Sequence, residues 1–184
     1  MSYLSHPMPI KRTAILTCMG SRIDLTRLAG LHEDHAYVIR NPGGRASDDA
    51  IRSLMISYRL LGTTEWFVIH HSDCGLELFT DDVIRAVLAT DEAFRALHAS
   101  SPRPPSNVGK NLKPGEHCPS SSHGDFIDWL TVADQAQNVR IDVERIRKHP
   151  LVPSHISIHG YIYQAETGSL VEVLEANQIG QATA

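Results

Sequence analysis

The chain has 184 residues, 42% of them hydrophobic and 21% charged, with a formal net charge of −4. That profile fits one globular domain with a real core. It argues against a nucleic-acid binder, which would usually carry a basic patch, and no apolar run nears the roughly 20 residues of a membrane span. Three cysteines, Cys18, Cys74 and Cys118, do not make a disulfide framework, and residues 1–11 lack an apolar signal core, so the expected compartment is the cytoplasm and the cysteines read better as metal ligands or catalysts.

In chain order, the apolar run Ala14-Ile15-Leu16 predicts a buried strand over 12–18, ending at Cys18. A turn-like Met19-Gly20-Ser21-Arg22 and a weakly helical stretch over 23–28 follow. Residues 36–40 predict a second strand, stopped by the turn signal Asn41-Pro42-Gly43-Gly44. Ser47 is a good N-cap, and Asp48 and Asp49 suit the positive end of a helix dipole. Ile51, Leu54, Met55, Tyr58 and Leu61 then share one face, and Gly62 can end that helix in the left-handed conformation. Trp66-Phe67-Val68-Ile69, aromatic and β-branched, predicts a third strand over 66–70. Strand–helix–strand order implies a right-handed crossover and a parallel sheet.

Thr80-Asp81-Asp82 caps a second helix with Val83, Ile84, Val87 and Leu88 apolar. Residues 100–122, rich in Pro, Ser, Gly and Lys, predict an irregular exposed excursion within a single domain spanning 1–184. A long helix is expected from about 125 to 148, with Val132, Ala136, Val139, Val143 and Ile146 as its seam, ended by His149-Pro150. Residues 155–163 alternate as a strand, Thr167-Gly168 turns, and 169–174 predicts an antiparallel edge strand. The tail from Glu175 is expected to be loose. The fold class is therefore α/β: a mainly parallel central β-sheet with flanking helices and an antiparallel edge strand.

Chemistry collects in His70-His71-Ser72-Asp73-Cys74-Gly75, at the C-terminal end of the third strand, the edge at which open α/β sheets bind ligands. Cys18 ends the first strand, so parallel neighbours would bring Cys18, His71 and Cys74 together. Two Cys and one His form a known catalytic zinc set, with water in the fourth position. Equally, the cysteines read as small buried hydrophobes and His71 as a satisfied loop histidine. Spacing alone leaves both readings standing.

Three linked motifs carry a resemblance. Cys18-x-x-x-Arg22, then Arg40-Asn41-Pro42-Gly43-Gly44, then His70-His71-Ser72-Asp73-Cys74-Gly75 resemble the β-class carbonic anhydrase family in order and separation. Residues 48–54 lie between the motifs as in the family, and the similarity resumes over 139–153. The compact subgroup with a short N-terminus, which includes carbonyl sulfide and carbon disulfide hydrolases, matches best. The resemblance implies Zn2+ held by Cys18, His71 and Cys74, and a homodimer, with a tetramer or higher assembly also open. It implies Arg22 as a catalytic group, and a substrate pocket including Gly20, Asn41, Gly43, Gly44 and Gly75. Read from the residues, Gly43 and Gly44 either let backbone approach that pocket or only make a turn, and Asn41 either orients the loop or caps it.

One departure stands out. The family usually has Asp two residues after the first zinc Cys, paired to the following Arg; here that position is Gly20. Arg22 therefore lacks its usual partner, and Asp24 or Asp73 are candidates to replace the carboxylate. Loss of the Asp leaves a roomier, less negative pocket. The expected activity is attack of zinc-bound hydroxide on a small cumulated molecule (COS, CO2 or CS2). Carbonyl sulfide hydrolysis is narrowly preferred, CO2 hydration is the alternative, and a catalytically inactive zinc-bearing dimeric scaffold is a third reading. His70 reads as structural, Cys118 as a bystander, and His155 and His159 as packing residues on one strand face.

Overall fold

The computed structural model describes residues 12–20, 23, 36–89 and 122–183. All but the first residue of the expected helix over 23–28, Arg22, Asp24, Cys118 and most of the 100–122 excursion lie outside the described residues. The chain divides into two compact units, residues 1–78 with 132–184, and residues 79–131.

The first unit is built on a five-stranded sheet. Its strands are β1 (Thr13–Cys18), β2 (Ala36–Asn41), β3 (Glu65–His71), β4 (Ser157–Gln164) and β5 (Ser169–Glu172). Their order in the sheet is β2-β1-β3-β4-β5. All pairs are parallel except β4 with β5, which is the expected antiparallel edge. β1 and β3 lie inside the sheet and are the most buried strands, as strands covered on both faces must be.

Helix α1 (Asp48–Leu61) begins and ends where expected. The Ser47 hydroxyl accepts from Ala50 N, and Gly62 takes a left-handed φ of 74°. Its inward face, Ala50, Ile51 and Leu54, joins Val139, Val143 and Ile146 of α3 (Gln135–Lys148) in one core cluster against Ala14, Leu16, Trp66 and Val68 of the sheet. A second cluster gathers Ile15, Cys18, Ile69, Cys74 and Tyr163, with Phe67 and Tyr161 packed against it, and contains no α-helical residue among those described.

Three boundaries differ from expectation. α3 starts at Gln135 rather than near 125, because Asp134 caps it by accepting from Gln137 N, and Leu130 just upstream has a positive φ of 54°. Val132 is buried at the spacing of the helical seam but lies in the connection ahead of the helix. β4 begins at Ser157, so His155 precedes the strand and contacts Tyr58 Oη at 3.3 Å instead. The tail is ordered: α4 (Leu174–Ile179) buries Ala176, Ile158 N donates to Gly180 O at 2.9 Å, and β5 stops two residues early at Glu172.

In the second unit, α2 (Asp81–Ala89) carries the expected Thr80 cap, with Val83 N donating to Thr80 Oγ1 at 3.3 Å. A 3-10 turn spans Ser122–Phe126, and Asp81 accepts from Thr131 N and Oγ1 at 3.1 and 2.6 Å. No helix among the described residues is long and apolar enough to cross a membrane.

Candidate metal centre

Strand alternation decides what the His70-His71 pair can do. Successive side chains of β3 point to opposite faces of the sheet. Trp66, Val68 and His70 face the helix-packed core, while Ile69 and His71 face the second cluster, where Cys18 and Cys74 lie. Two identical neighbours therefore serve different purposes.

One donor atom from each of Cys18, His71 and Cys74 lies within 4.8 Å of the others, and all three residues are buried. The two sulfurs are 3.9 Å apart. His71 Nδ1 donates to Ser72 O at 2.9 Å, which leaves Nε2 as the ring's free lone pair, buried with no hydrogen-bond partner. A buried unpaired nitrogen beside two sulfurs is costly unless a cation sits among them. Two sulfurs and one imidazole are the donor chemistry of zinc, so the residues present fit that ion.

The electrostatics agree. A hydrogen bond from Cys74 drives the Cys18 thiol far down, against its burial, with help from His71 and the N–H groups of Gly20 and Gly43. Cys74 is driven up as the donor to Cys18 and by burial. The sulfurs thus share one proton, with Cys18 as thiolate; a divalent cation would favour loss of that proton as well. Burial works against the imidazolium of His71, but the adjacent Cys18 thiolate outweighs it and raises its pKa. Glu77 adds a negative charge that raises both His71 and Cys74. It is a nearby carboxylate to which no motif in the sequence points.

The surrounding residues fix the donors. Arg40 Nη1 donates to Cys18 O at 2.9 Å, and Met19 N donates to Asn41 O at 2.9 Å. Asn41 is half-buried and bridges its own loop: its Oδ1 accepts from Arg45 N at 2.8 Å, and its Nδ2 donates to Arg45 O at 2.7 Å. Its amide therefore holds the Gly43-Gly44 turn closed. Gly44 has a φ of 71°, and a Cβ there would lie 2.8 Å from Cys18 N, so the turn packs directly on the Cys18 backbone. Gly20 N donates to Cys18 Sγ at 3.4 Å, and a Cβ on Gly20 would sit 3.5 Å from His71 Nε2. Position 20 therefore looks straight at the donor cluster.

Other expected residues fall elsewhere. Gly75 is exposed at the start of a 3-10 turn, with no described atom within 4 Å of a built Cβ. Asp73 is an exposed turn residue with φ 61°, and it is not among the gathered donors. His159 stacks on Phe67 with ring centroids 4.8 Å apart and pairs with Glu65 at 2.9 Å, a packing role. His70 is wholly buried and contacts Asp142 Oδ2 at 3.1 Å and Gln135 Oε1 at 3.2 Å. Asp142 and Gln135 are buried or half-buried polar residues on a helix otherwise marked by its apolar seam, and only their seven-residue spacing hinted that they share a face.

The family model described as Carbonic anhydrase matches residues 13–170. Beta-carbonic anhydrase 1 of Mycobacterium tuberculosis is 35% identical over 168 residues, covering 91% of this chain and 85% of that protein. Carbon disulfide hydrolase of Acidianus sp. is 32% identical over 174 residues, covering 87% and 76%. Among solved structures, carbonic anhydrase from Streptococcus mutans superposes with a TM-score of 0.71 at 36% identity, covering 90% of this chain and 82% of that one. The apo form of a carbon disulfide hydrolase does so with a TM-score of 0.66 at 31% identity, covering 90% and 80%.

Proposed function

This chain belongs to the β-carbonic anhydrase family, and from that footing we propose that it is a zinc enzyme that adds water to a small cumulated substrate, carbonyl sulfide before CO2. The observation that carries the reading is the convergence of Cys18 Sγ, Cys74 Sγ and His71 Nε2, with the last atom buried and unpartnered. When bound, zinc supplies Lewis acidity that makes a water acidic enough to yield a nucleophile near neutral pH. The chain's own residues do the rest. Ser72 O fixes the His71 tautomer, Arg40 and Asn41 hold the Cys18 backbone, and the Gly43-Gly44 turn packs against it. Arg22 would add positive charge for the developing anion.

Carbonyl sulfide is preferred for one reason. Where the family's Asp would stand, Gly20 has no side chain, and since a Cβ there would already sit 3.5 Å from His71 Nε2, its absence leaves width for a sulfur atom and removes a negative charge. COS and water would give CO2 and hydrogen sulfide. The 35% identity to a protein named beta-carbonic anhydrase supports CO2 hydration as the second reading, and the 32% identity to one named carbon disulfide hydrolase keeps CS2 among the substrates to test. We further propose that the matched span acts as one domain, in the cytoplasm, as a homodimer or higher assembly.

The test is a side-by-side assay of zinc-loaded protein with COS, CO2 and CS2. Sulfide release from COS at a higher kcat/KM than CO2 hydration supports the preferred order, and the reverse makes the chain a carbonic anhydrase. No turnover of any of the three leaves a zinc-bearing scaffold. Metal analysis should find one zinc per chain, and a Cys74→Ala protein should lose most of it. Full retention by that variant would remove Cys74 from the metal centre.

A further inference from the structure

Beneath the donor cluster, on the opposite face of the sheet, runs a chain of polar side chains. Arg45 Nε donates to Asp142 Oδ2 at 2.7 Å, and Arg45 Nη2 donates to Asp142 Oδ1 at 3.3 Å, a two-point contact. His70 Nε2 meets the same Asp142 Oδ2 at 3.1 Å, and His70 Nδ1 meets Gln135 Oε1 at 3.2 Å. Gln135 Nε2 then donates to Glu77 Oε1. Arg45, Asp142 and His70 are 5%, 1% and 0% exposed. Burying an ion pair is costly and does little for stability compared with apolar packing. Its presence needs a reason beyond holding the core together.

The ends of the chain supply one. Arg45 is tied through both amide atoms of Asn41 to the end of β2, where Asn41 is the register partner of Cys18. His70 is the residue before His71. Glu77 N donates to Cys74 O at 3.0 Å. Each segment that carries a candidate ligand is therefore fastened to one line of hydrogen bonds. Two of its members, Gln135 and Asp142, stand seven residues apart on α3, two turns along the same face.

We propose that the buried line Arg45–Asp142–His70–Gln135–Glu77 is the template that sets the spacing of Cys18, His71 and Cys74, with Asp142 and Gln135 as positioning residues for the metal. The proposal rests on the zinc reading above. None of the five is among the gathered donors; they act on the backbone segments that bear the ligands. Outer partners of this kind commonly change metal affinity by about 10- to 100-fold when removed.

The experiment measures zinc retention against a chromogenic chelator, with cobalt substitution to follow the thiolate-to-metal absorption band. Wild type comes first: failure to hold one zinc per chain would overturn the metal reading itself, separately from the template. Asp142→Asn and Gln135→Ala should then hold zinc about 10- to 100-fold less tightly, with a shifted or weakened cobalt band. Val143→Ala is the control, since it opens a cavity in the α3 core and lowers Tm without touching the line. It should keep wild-type zinc affinity. Asp142→Asn breaks a buried ion pair, so if it does not fold, Gln135→Ala at the half-buried first residue of α3 decides alone. Wild-type affinity in Gln135→Ala, or zinc loss in Val143→Ala matching its loss of Tm, overturns the template.

Discussion

A Cβ at residue 20 would fall 3.5 Å from His71 Nε2 and 3.6 Å from Cys18 Sγ, so any side chain there enters the space beside the donors, where the proposed substrate would have to reach them. Gly20→Asp should therefore raise CO2 hydration relative to COS hydrolysis, by narrowing that space and restoring an acceptor. Measuring both activities on the same metallated protein checks it, and an unchanged ratio removes Gly20 from selectivity. At Asp142 the consequence is acid sensitivity. Burial opposes its charge, but the hydrogen bonds from His70 and Arg45 and their charges hold its carboxyl below the ordinary carboxylate value. A depressed folded pKa contributes stability that is complete above the unfolded value of about 3.9 and disappears as pH falls through the lower folded one. Asp142→Asn should lack that acid limb in urea midpoints taken from pH 7 down to 2.5. It should also cost about 3–5 kcal/mol at neutral pH, because it breaks the buried Arg45–Asp142 ion pair. Parallel midpoint curves for the two proteins would refute this.

At the scale of elements, local signals were legible and long-range ones were not. Ser47 and Gly62 bound α1 by chemistry that acts within four residues, so sequence placed both ends. Val132 misled by fitting the helical seam: it is buried, but by its place ahead of the cap at Asp134 and not by helix geometry. The C-terminal helix was missed because six residues carry little periodicity. Its order comes from contacts that sequence does not display. Arg147 donates to the carbonyls of Pro153, Ser154, Ile156 and Gly180, fastening the loop after α3 and the end of α4 together. Gly180 is pressed against β4 so closely that a Cβ would overlap Ile158 O at 1.8 Å. Gly180→Ala should destabilise the protein by about 1–3 kcal/mol, the scale of overpacking, read by denaturant unfolding. An effect within 0.5 kcal/mol would mean that the tail is only loosely held.

For the whole molecule, the parallel order β2-β1-β3-β4 brought Cys18 and His71 to one sheet end, and that convergence was readable from strand sequence and crossover rules. The supporting line through Asp142 was not, since it joins residues 97 and 72 positions apart on different elements. The proposed dimer belongs to this scale. Helices cover one face of the sheet, while the apolar cluster on the other includes no α-helical residue among those described. Light scattering should give at least twice the 20.3 kDa chain mass at micromolar concentration, and a stable monomer would refute the dimer.

The placement of α3 also gives the metal centre a date of assembly. Cys18, His71 and Cys74 leave the ribosome within the first 74 of 184 residues, while Gln135, Asp142 and the partner strand β4 emerge only in the last third. A growing chain therefore displays two thiols and an imidazole for some sixty further residues of synthesis before the residues beneath them emerge, about 3 to 12 seconds at elongation rates of roughly 5–20 residues per second. Metal captured in that interval is bound by an unfolded chelator. On the template proposed above, it would become hard to remove only once α3 docks.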